Sequence, residues 1–204
     1  MPSRRRLIQQ ASLLFGVRAA AALGLGLLTP AARAAPGSGW RMPDESAPQA
    51  RAFIAFGAQD AIWDDITADV QAALGRIARA IADFQPVTVF CRAGELQQAQ
   101  RHCGTANVTF VETRLDDIWM RDIGANFVLN GQGGVAGVDF NFNGWGNKQR
   151  HASDARIAAE TVELADAEYV QSDLIGEGGG IEVDGRGTGI MTESSWINPV
   201  SYTH

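Results

Sequence analysis

The chain is poor in the side chains that metal centres and disulfide frameworks require. Its 204 residues include three histidines, two cysteines and one lysine, Lys148. The histidines are widely separated and no group of residues has the spacing of metal ligands, so neither a metal nor a cofactor is predicted. The cysteines, Cys91 and Cys103, allow one disulfide in an oxidising compartment but exclude a disulfide framework.

The chain also has no excess of basic charge. Hydrophobic residues make up 46% and charged residues 20%, which is ordinary for a globular domain and sufficient for a core. The formal net charge is −6. Because a negative surface repels phosphate backbones, nucleic acid is not a predicted partner, whereas a small cation is compatible.

Residues 1–34 have the pattern of an export signal. The basic run Arg4–Arg6 precedes an apolar stretch, Leu13–Leu28, that contains no acid, and Ala32–Ala34 has the small-x-small pattern of a cleavage site. The paired arginines resemble a twin-arginine signal, which is read by a translocase for folded proteins. An exported protein, periplasmic or secreted, is therefore predicted.

A membrane anchor is the alternative for this segment. The apolar run contains Arg18, and a spanning helix needs about 20 consecutive apolar residues, so cleavage is favoured over anchoring. Cleavage after Ala34 removes five arginines and takes the formal net charge from −6 to −11. No membrane contact is predicted after cleavage.

From Arg51 onwards, short β-rich runs alternate with helical periodicity. Strands are predicted at Ala52–Phe56, Val87–Cys91, Val108–Val111, Gly124–Leu129, Val135–Phe142, Ile181–Val183 and Thr188–Thr192. Helices are predicted from Asp60, as N-cap, to about Phe84, over Ala93–His102, and from about Ser153 to Ala165. This alternation indicates an α/β fold, and glycine-rich hairpins at 131–134 and 184–187 indicate mixed sheets.

The longest predicted helix has one apolar face, and the strand pattern recurs along the chain. The face is predicted to consist of Ile66, Val70, Leu74, Ile77 and Ile81, which follow three- and four-residue steps. Residues 52–111 and 127–174 each hold strands followed by a helix and another strand. This recurrence indicates, weakly, an internal structural repeat.

The first candidate site is the loop Asp116–Gly124, between two predicted strands. The two oxygens of Asp122 match the planar fork of a guanidinium, because they can accept two parallel N–H bonds. Trp119 could stack on an alkyl guanidine, and Arg121 could neutralise a neighbouring acid. Packing and capping roles are the alternative for such residues near turns.

Two further segments carry weaker signals. Glu177–Gly180 combines an acid with glycines that allow close backbone approach, although a plain flexible turn fits the same sequence. Asn141–Gly146 places amides and Trp145 at a strand end, around the ordinary turn dipeptide Asn143-Gly144. Packing is the favoured role for Trp145.

Taken in order, five segments resemble one family. The segments are Met42–Glu45, Trp119–Gly124, Val138–Gly146, Glu177–Thr188 and Thr192–Ser194. They resemble agmatine deiminases and Porphyromonas-type peptidylarginine deiminases, and the resemblance runs from about Trp40 to Pro199. It implies the pentein fold, an α/β propeller of ββαβ modules around a central site, which would be incomplete in this chain.

The resemblance implies hydrolysis of a guanidino group. In this family a cysteine thiolate attacks the guanidino carbon, ammonia leaves, and water releases a ureido product while a histidine handles protons. By motif, Asp122 matches the acid that grips the guanidinium and Trp119 an aromatic that lines the substrate channel. Glu177, Gly178 and Gly179 lie in the family's glycine-rich active-site loop. The implied partner is a small cationic guanidine, and no cofactor is implied.

The family's nucleophilic cysteine and its histidine, in a His-x-Asp motif, have no counterpart in the chain. Cys91 and Cys103 match neither the position nor the surroundings of the nucleophile and are predicted to be structural. His204 follows the Thr192–Ser194 segment too closely to be the family histidine. Residues 35–204 are therefore predicted to be the N-terminal part of a deiminase domain, truncated or with the reading frame lost near residue 199.

Three functions remain open from the sequence. The first is conversion of agmatine to N-carbamoylputrescine and ammonia, a reaction of putrescine biosynthesis. The second is deimination of peptidyl- or free arginine, for which Arg114, Arg121 and Arg150 could bind the extra carboxylate or peptide groups. The third is an inactive guanidinium-binding fragment, because positioning alone does not replace a covalent step.

Overall fold

The structure, a computed structural model, describes residues 39–196. The predicted signal segment and the predicted departure from the family pattern after residue 199 lie outside these residues. The elements of the first unit are β1 (Ala52–Phe56), α1 (Asp60–Trp63), α2 (Thr67–Ala82), β2 (Val87–Cys91), α3 (Leu96–Cys103) and β3 (Val108–Glu112). The three strands form a parallel sheet in the order β1-β2-β3, with residues in register from Ala52↔Val87 and Val87↔Val108 onwards.

The second unit is a mixed sheet in the order β4-β5-β6. Strands β4 (Asn126–Leu129) and β5 (Val135–Asp139) form the predicted hairpin, and β6 (Glu168–Gln171) pairs parallel to β5 after helix α5 (Ile157–Leu164). The short helix α4 (Met120–Ile123) connects the two units. This order of two strands, a helix and a strand is the ββαβ module that the family resemblance implies.

A two-stranded hairpin and a helical turn complete the described chain. Strands β7 (Ile181–Val183) and β8 (Gly189–Met191) pair antiparallel, and α6 (Glu193–Trp196) follows. Short 3-10 turns lie at Asp64–Ile66, Asp154–Arg156 and Gly178–Gly180, and a tight helical turn lies at Gly144–Asn147. None of the helices in residues 39–196 is long and apolar enough to cross a membrane.

The predicted strands are confirmed to within a few residues, but the first predicted helix is wrong in two respects. Asp64 has a positive φ of 46°, so the chain forms α1, a 3-10 turn and α2 in place of one helix. Asp60 is the first helical residue, whereas Gln59 occupies the N-cap position in an extended conformation. The Gln59 side chain donates to the Asp116 carbonyl, 2.6 Å away, and so serves the next loop.

The predicted apolar face of the long helix is also partly wrong. Ile66 and Ile77 are 47% and 51% exposed. The fully buried positions of α2 are Thr67, Gln71, Gly75 and Ala78. Small residues face inward because α2 packs closely on α3, where a Cβ at position 75 would overlap the backbone carbonyl of His102. Close approach of two backbones therefore selects part of the buried face, whereas Leu74 and Ile81 of the predicted face pack against the core as expected.

Three apolar clusters form the core. One lies within the first unit and includes Phe56, Val89 and both cysteines. A second lies between the mixed sheet and the hairpin β7–β8, around Phe140 and Trp196. The third joins the two units and consists of Ala55, Phe90, Leu115, Ile123, Phe142 and Ile157. Leu115 directly precedes the first candidate loop and Ile123 lies near its end, so apolar contacts anchor the loop on both sides.

Replacement of Gly75 by alanine tests the close packing of α2 on α3. Alanine normally stabilises a helix interior by about 0.5–1 kcal/mol relative to glycine, whereas overpacking typically costs about 1–3 kcal/mol. We expect Gly75→Ala to lower the free energy of unfolding by about 1–2 kcal/mol in urea denaturation followed by circular dichroism. The control is Gly131→Ala, in open space, which should stay within about 0.5 kcal/mol of wild type. A stabilised Gly75→Ala variant would contradict the packing.

Candidate active site

The first candidate loop is attached to the second unit by reciprocal hydrogen bonds between two acids. The Asp154 carboxylate accepts the backbone N–H groups of Asp116 and Asp117 at 2.7 and 3.1 Å. In return, the Asp116 carboxylate accepts the backbone N–H groups of Ser153 and Asp154 at 2.6 and 3.4 Å. The turn before α5 and the loop after β3 are thus fixed to each other.

Burial makes this attachment sensitive to protonation. Asp116, Asp117 and Asp154 are all buried. Burial, reinforced by the neighbouring Asp116 and Asp117 carboxylates, raises the pKa of Asp154 to about 6, although two backbone N–H donors act in the opposite direction. The exposed Arg150 guanidinium lies 2.9 Å from Asp116 and compensates one of the three charges.

The next acid in the loop, Asp117, accepts three side-chain hydrogen bonds. Its Oδ1 accepts from Trp63 Nε1 at 2.7 Å. Its Oδ2 accepts from Trp119 Nε1 at 2.7 Å and from Gln149 Nε2 at 2.9 Å. The Trp119 ring, 41% exposed, lies 6.1 Å from the Trp63 ring at 31°. The predicted aromatic is therefore tethered by its nitrogen and open to solvent on part of its surface.

Asp122 lies on α4 and is held from two directions. Its Oδ1 accepts the backbone N–H of Gly179 at 3.1 Å, and its Oδ2 accepts Trp145 Nε1 at 3.2 Å. A carboxylate has about four acceptor positions, so two remain for a ligand after these bonds. The structure thus brings together two predicted site residues, Asp122 and Gly179, that are 57 positions apart in the sequence.

Glu177 joins the same site. Burial and the like charge of Asp122 raise its pKa above the usual value, while Lys148 acts in the opposite direction. Gly178 and Gly179 are required by close approach: a Cβ at 178 would overlap the Arg121 carbonyl, and one at 179 would meet the Asp122 carboxylate. The two glycines therefore allow this segment, a 3-10 turn, to approach other protein groups closely, and its approach to a ligand stays a prediction.

Trp145 lies in the site, although the sequence favours only a packing role for it. Its ring packs edge-on against Phe142 at 5.0 Å, as the packing prediction expects, but it also lies perpendicular to Trp119 at 5.8 Å and donates to Asp122. The residue adopts a positive φ of 55° within the tight turn. The Asn143-Gly144 dipeptide does not predict this conformation, which is rare for a bulky side chain.

The arginines near the loop are already paired or lie elsewhere. Arg121 forms an exposed salt bridge with Glu45 at 2.5 Å, which confirms that it neutralises a neighbouring acid. Arg114 and Arg150 line a separate cavity of about 690 Å³ at the carboxyl end of the parallel sheet. Neither Trp119 nor Asp122 lines that cavity.

The two cysteines have the properties of structural residues. Both are free thiols, 0% and 1% exposed, so Cys91 and Cys103 form no disulfide with each other. Burial raises the pKa of each thiol to about 11. A nucleophilic cysteine needs an accessible thiolate, and neither residue provides one near neutral pH. Within residues 39–196 no group of three or more histidine, cysteine or acidic side chains is placed to hold a metal ion.

Comparisons with known proteins agree with the fold and identify a family. The family model described as Porphyromonas-type peptidyl-arginine deiminase matches residues 41–201. A Streptomyces avermitilis protein provisionally described as an agmatine deiminase is 44% identical over 81% of this chain and 47% of its own length. Agmatine deiminase of Pseudomonas putida strain F1 is 39% identical over 78% of this chain and 45% of its own length. The solved agmatine deiminase of Enterococcus faecalis superposes with a TM-score of 0.74 at 30% identity, over 79% of this chain and 46% of that one.

These matches identify a class of protein. The chain belongs to the Porphyromonas-type peptidyl-arginine deiminase family. The predicted pentein-type α/β fold is confirmed by the likeness to solved agmatine deiminases, and residues 39–196 form only part of a propeller. The chain spans about half the length of the curated relatives it matches.

The buried acids predict a particular pH dependence of stability. The folded state retains a proton on Asp154 at pH values between about 4 and 6, where the unfolded chain has lost it, so this group stabilises the fold at low pH and the contribution disappears as the pH rises through about 6. Asp154→Asn places an amide N–H₂ against a backbone N–H donor, which should cost about 1–3 kcal/mol.

The measurement is chemical denaturation of wild type and Asp154→Asn at several pH values. The difference in free energy of unfolding should be largest near the acid end and should shrink as the pH rises through about 6. Asp69→Asn, an exposed acid on α2, is the matched control and should give a small difference at every pH. A difference that grows with pH would show that the assigned proton is wrong.

Proposed function

We propose that the protein hydrolyses a guanidino group to a ureido group and ammonia, with agmatine as substrate and N-carbamoylputrescine as product. The observation that carries this proposal is the Asp122 carboxylate, which is held by Gly179 and Trp145 beside the perpendicular indoles of Trp119 and Trp145. The half-buried Glu177 lies two residues before Gly179 and adds a second negative charge. Two adjacent carboxylates repel each other, and a planar cation that can donate to both relieves that repulsion. Relatives named agmatine deiminase support the choice of substrate.

The described residues supply binding and orientation of the guanidinium. Asp122 accepts N–H groups of the substrate at its unoccupied positions, and the indole faces contact the cation and its alkyl chain. The nucleophile is neither Cys91 nor Cys103, since both thiols are buried and protonated. The thiolate and the histidine that the family chemistry requires are therefore assigned to positions outside residues 39–196, and this chain alone is proposed to bind a guanidine without hydrolysing it.

Agmatine is favoured over arginine or an arginine peptide by the charges around the loop. A substrate carboxylate would need a cationic partner close to the site. Arg121 already pairs with Glu45, and Arg150 already pairs with Asp116. The charge of Lys148 likewise already acts on an acid of the site. Peptidylarginine deimination, which the family description names, is retained as the outcome to be distinguished by experiment.

We also propose that the protein acts outside the cytoplasm. The proposal rests on residues 1–34, with their paired arginines, acid-free apolar stretch and Ala-x-Ala cleavage pattern. The mature part would then begin near residue 35 and belong entirely to the deiminase domain.

Replacement of Asp122 tests the proposed binding site. We expect the chain to bind agmatine in isothermal titration calorimetry and Asp122→Asn to weaken the affinity by about tenfold or more, because a charge-assisted pair is lost. Asp69→Asn, which keeps the same change of charge on an exposed helix surface, should leave the affinity within about twofold. Equal affinities of the two variants would refute the assignment of Asp122.

Turnover is measured on the complete product of the gene with agmatine and with an arginine-containing peptide, by assay of ureido product. Faster turnover of agmatine supports the proposal, and turnover of the peptide alone would transfer the assignment to peptidylarginine. The 204-residue chain should release no ammonia from agmatine. Release that disappears in Cys91→Ala would show that a buried thiol is the nucleophile after all.

Protonation of Glu177 predicts how binding responds to pH. A bound guanidinium favours the ionised form of the Glu177 carboxylate. Because the pKa of Glu177 is raised above its ordinary value of 4.5, this carboxyl still holds a proton at pH values somewhat above 4.5, and binding should release that proton. Agmatine affinity should therefore increase as the pH rises through the raised pKa. In Glu177→Gln this increase should be lost, and calorimetry in buffers of different ionisation enthalpy should detect no released proton. A pH-dependent increase that persists in Glu177→Gln would assign the titration to another group.

A further inference from the structure

We propose that Asp117 is a positioning residue that fixes the Trp119 indole at the cation site through a carboxylate shared with Trp63 and Gln149. The inference deepens the proposed function and rests on it for the identity of the ligand. Its structural part, the tethering of Trp119 by Asp117, is testable without any ligand.

Hydrogen bonds, and no ion pair among the described residues, satisfy the buried Asp117 side chain. Asp117 is 1% exposed, and no arginine or lysine forms a salt bridge with it among the described residues. A buried carboxylate without a cationic partner is costly unless its oxygens accept several hydrogen bonds. Two indole N–H groups and one amide N–H group supply them at 2.7, 2.7 and 2.9 Å. The charge therefore depends on the three donors, and the donors are held in place by the charge.

The donors come from distant parts of the chain. Trp63 ends helix α1, Trp119 precedes helix α4, and Gln149 follows the tight turn that carries Trp145. The backbone N–H of Asp117 donates to Asp154, so the acid is itself anchored to the second unit. Asp117 thus connects the first unit, the candidate loop and the turn of Trp145.

This arrangement fixes the relative orientation of the Trp119 and Trp145 rings. Trp119 is tied by its nitrogen to Asp117, and Trp145 is tied by its nitrogen to Asp122. The two rings meet at 90° with centroids 5.8 Å apart. An indole that is partly exposed has several accessible rotamers, and a nitrogen held by a buried charge selects one of them. Asp117 acts on the ligand through Trp119 and not by direct contact.

The ligand-free test measures hydrogen exchange of the indole N–H groups by NMR. Trp63 and Trp119 resonances are assigned with Trp63→Phe and Trp119→Phe, and Trp196, which donates to the Gly180 carbonyl at 2.8 Å, is the internal reference. In Asp117→Ala both the Trp63 and Trp119 protons should exchange at least about tenfold faster, while the Trp196 proton keeps its rate. Unchanged exchange at Trp119 would overturn the proposal.

A second variant covers the case in which Asp117→Ala does not fold. Asp117→Asn keeps one acceptor oxygen. That oxygen should take the place of Oδ2 and accept from Trp119 and Gln149, which leaves the N–H₂ group facing Trp63. The Trp63 proton alone should then exchange faster, and adding Trp63→Phe should remove the remaining donor–donor conflict and restore wild-type stability. If Asp117→Asn releases neither indole proton, the shared carboxylate is not the tether.

The second test, with ligand, compares the agmatine affinities of wild type and variants. Asp117→Ala should weaken binding by about tenfold, the loss expected for a displaced aromatic partner of a cation. Asp117→Ala in a Trp119→Phe background should weaken it no further than Trp119→Phe alone, because both act through one indole.

The matched control is Asp139→Ala. This buried acid on β5 accepts from Tyr169 and Asn141 and should leave affinity within about twofold. Additive losses for Asp117→Ala and Trp119→Phe would overturn the positioning role. A wild-type chain that binds no agmatine but shows the expected indole exchange would refute the proposed function and leave the tether supported.

Discussion

The structure depends on the need of three buried carboxylates to find donors at the junction of two sheets. Asp116, Asp117 and Asp154 lie within a few ångströms of one another, away from water. Each unit alone would expose them or leave them unsatisfied, so the hydrogen bonds that satisfy them also fix the relative position of the two units. The candidate loop, which starts at these acids, inherits that position. Its aromatic and acidic side chains are placed by the buried, hydrogen-bonded residues that precede them.

Close backbone approach is the second constraint, and it explains the positions of several glycines. A Cβ at Gly57 would overlap the Asp117 carbonyl, so the end of β1 can approach the loop only as glycine. Gly178 permits the same approach to the Arg121 carbonyl from the other side. The loop is therefore enclosed between two glycine contacts. Side chains at either contact would push it away from the acids that hold it.

The strands could be predicted from the sequence because each is a short apolar run with its own turn signals, and Val87–Cys91 agrees with the structure residue for residue. The break at Asp64 could not be predicted, because a positive φ at one aspartate does not change the spacing of the apolar residues around it. Asp122, Trp119 and Glu177 were recognisable by their family segments. Trp63 and Asp117 were not, because their hydrogen bond joins positions 54 apart and neither residue is distinctive by itself. The place of Trp145 in the site could not be predicted for a related reason: the Asn143-Gly144 dipeptide predicts a turn but not the direction of the Trp145 indole.

The site is built from segments that no single unit contains. Asp122 comes from the connection between the two sheets, Trp145 from the end of the second sheet, and Glu177 from the approach to the last hairpin. The hydrogen bonds from Gly179 and Trp145 to Asp122 therefore act across the assembly and not within one element. A cation that neutralises Asp122 and Glu177 would remove a repulsion between two of these segments, so it would bind the assembled state more tightly than any partly opened one. Ligand binding and the packing of the units are thus coupled through the same carboxylates, and the stabilisation should increase with the logarithm of the ligand concentration once that concentration exceeds the Kd.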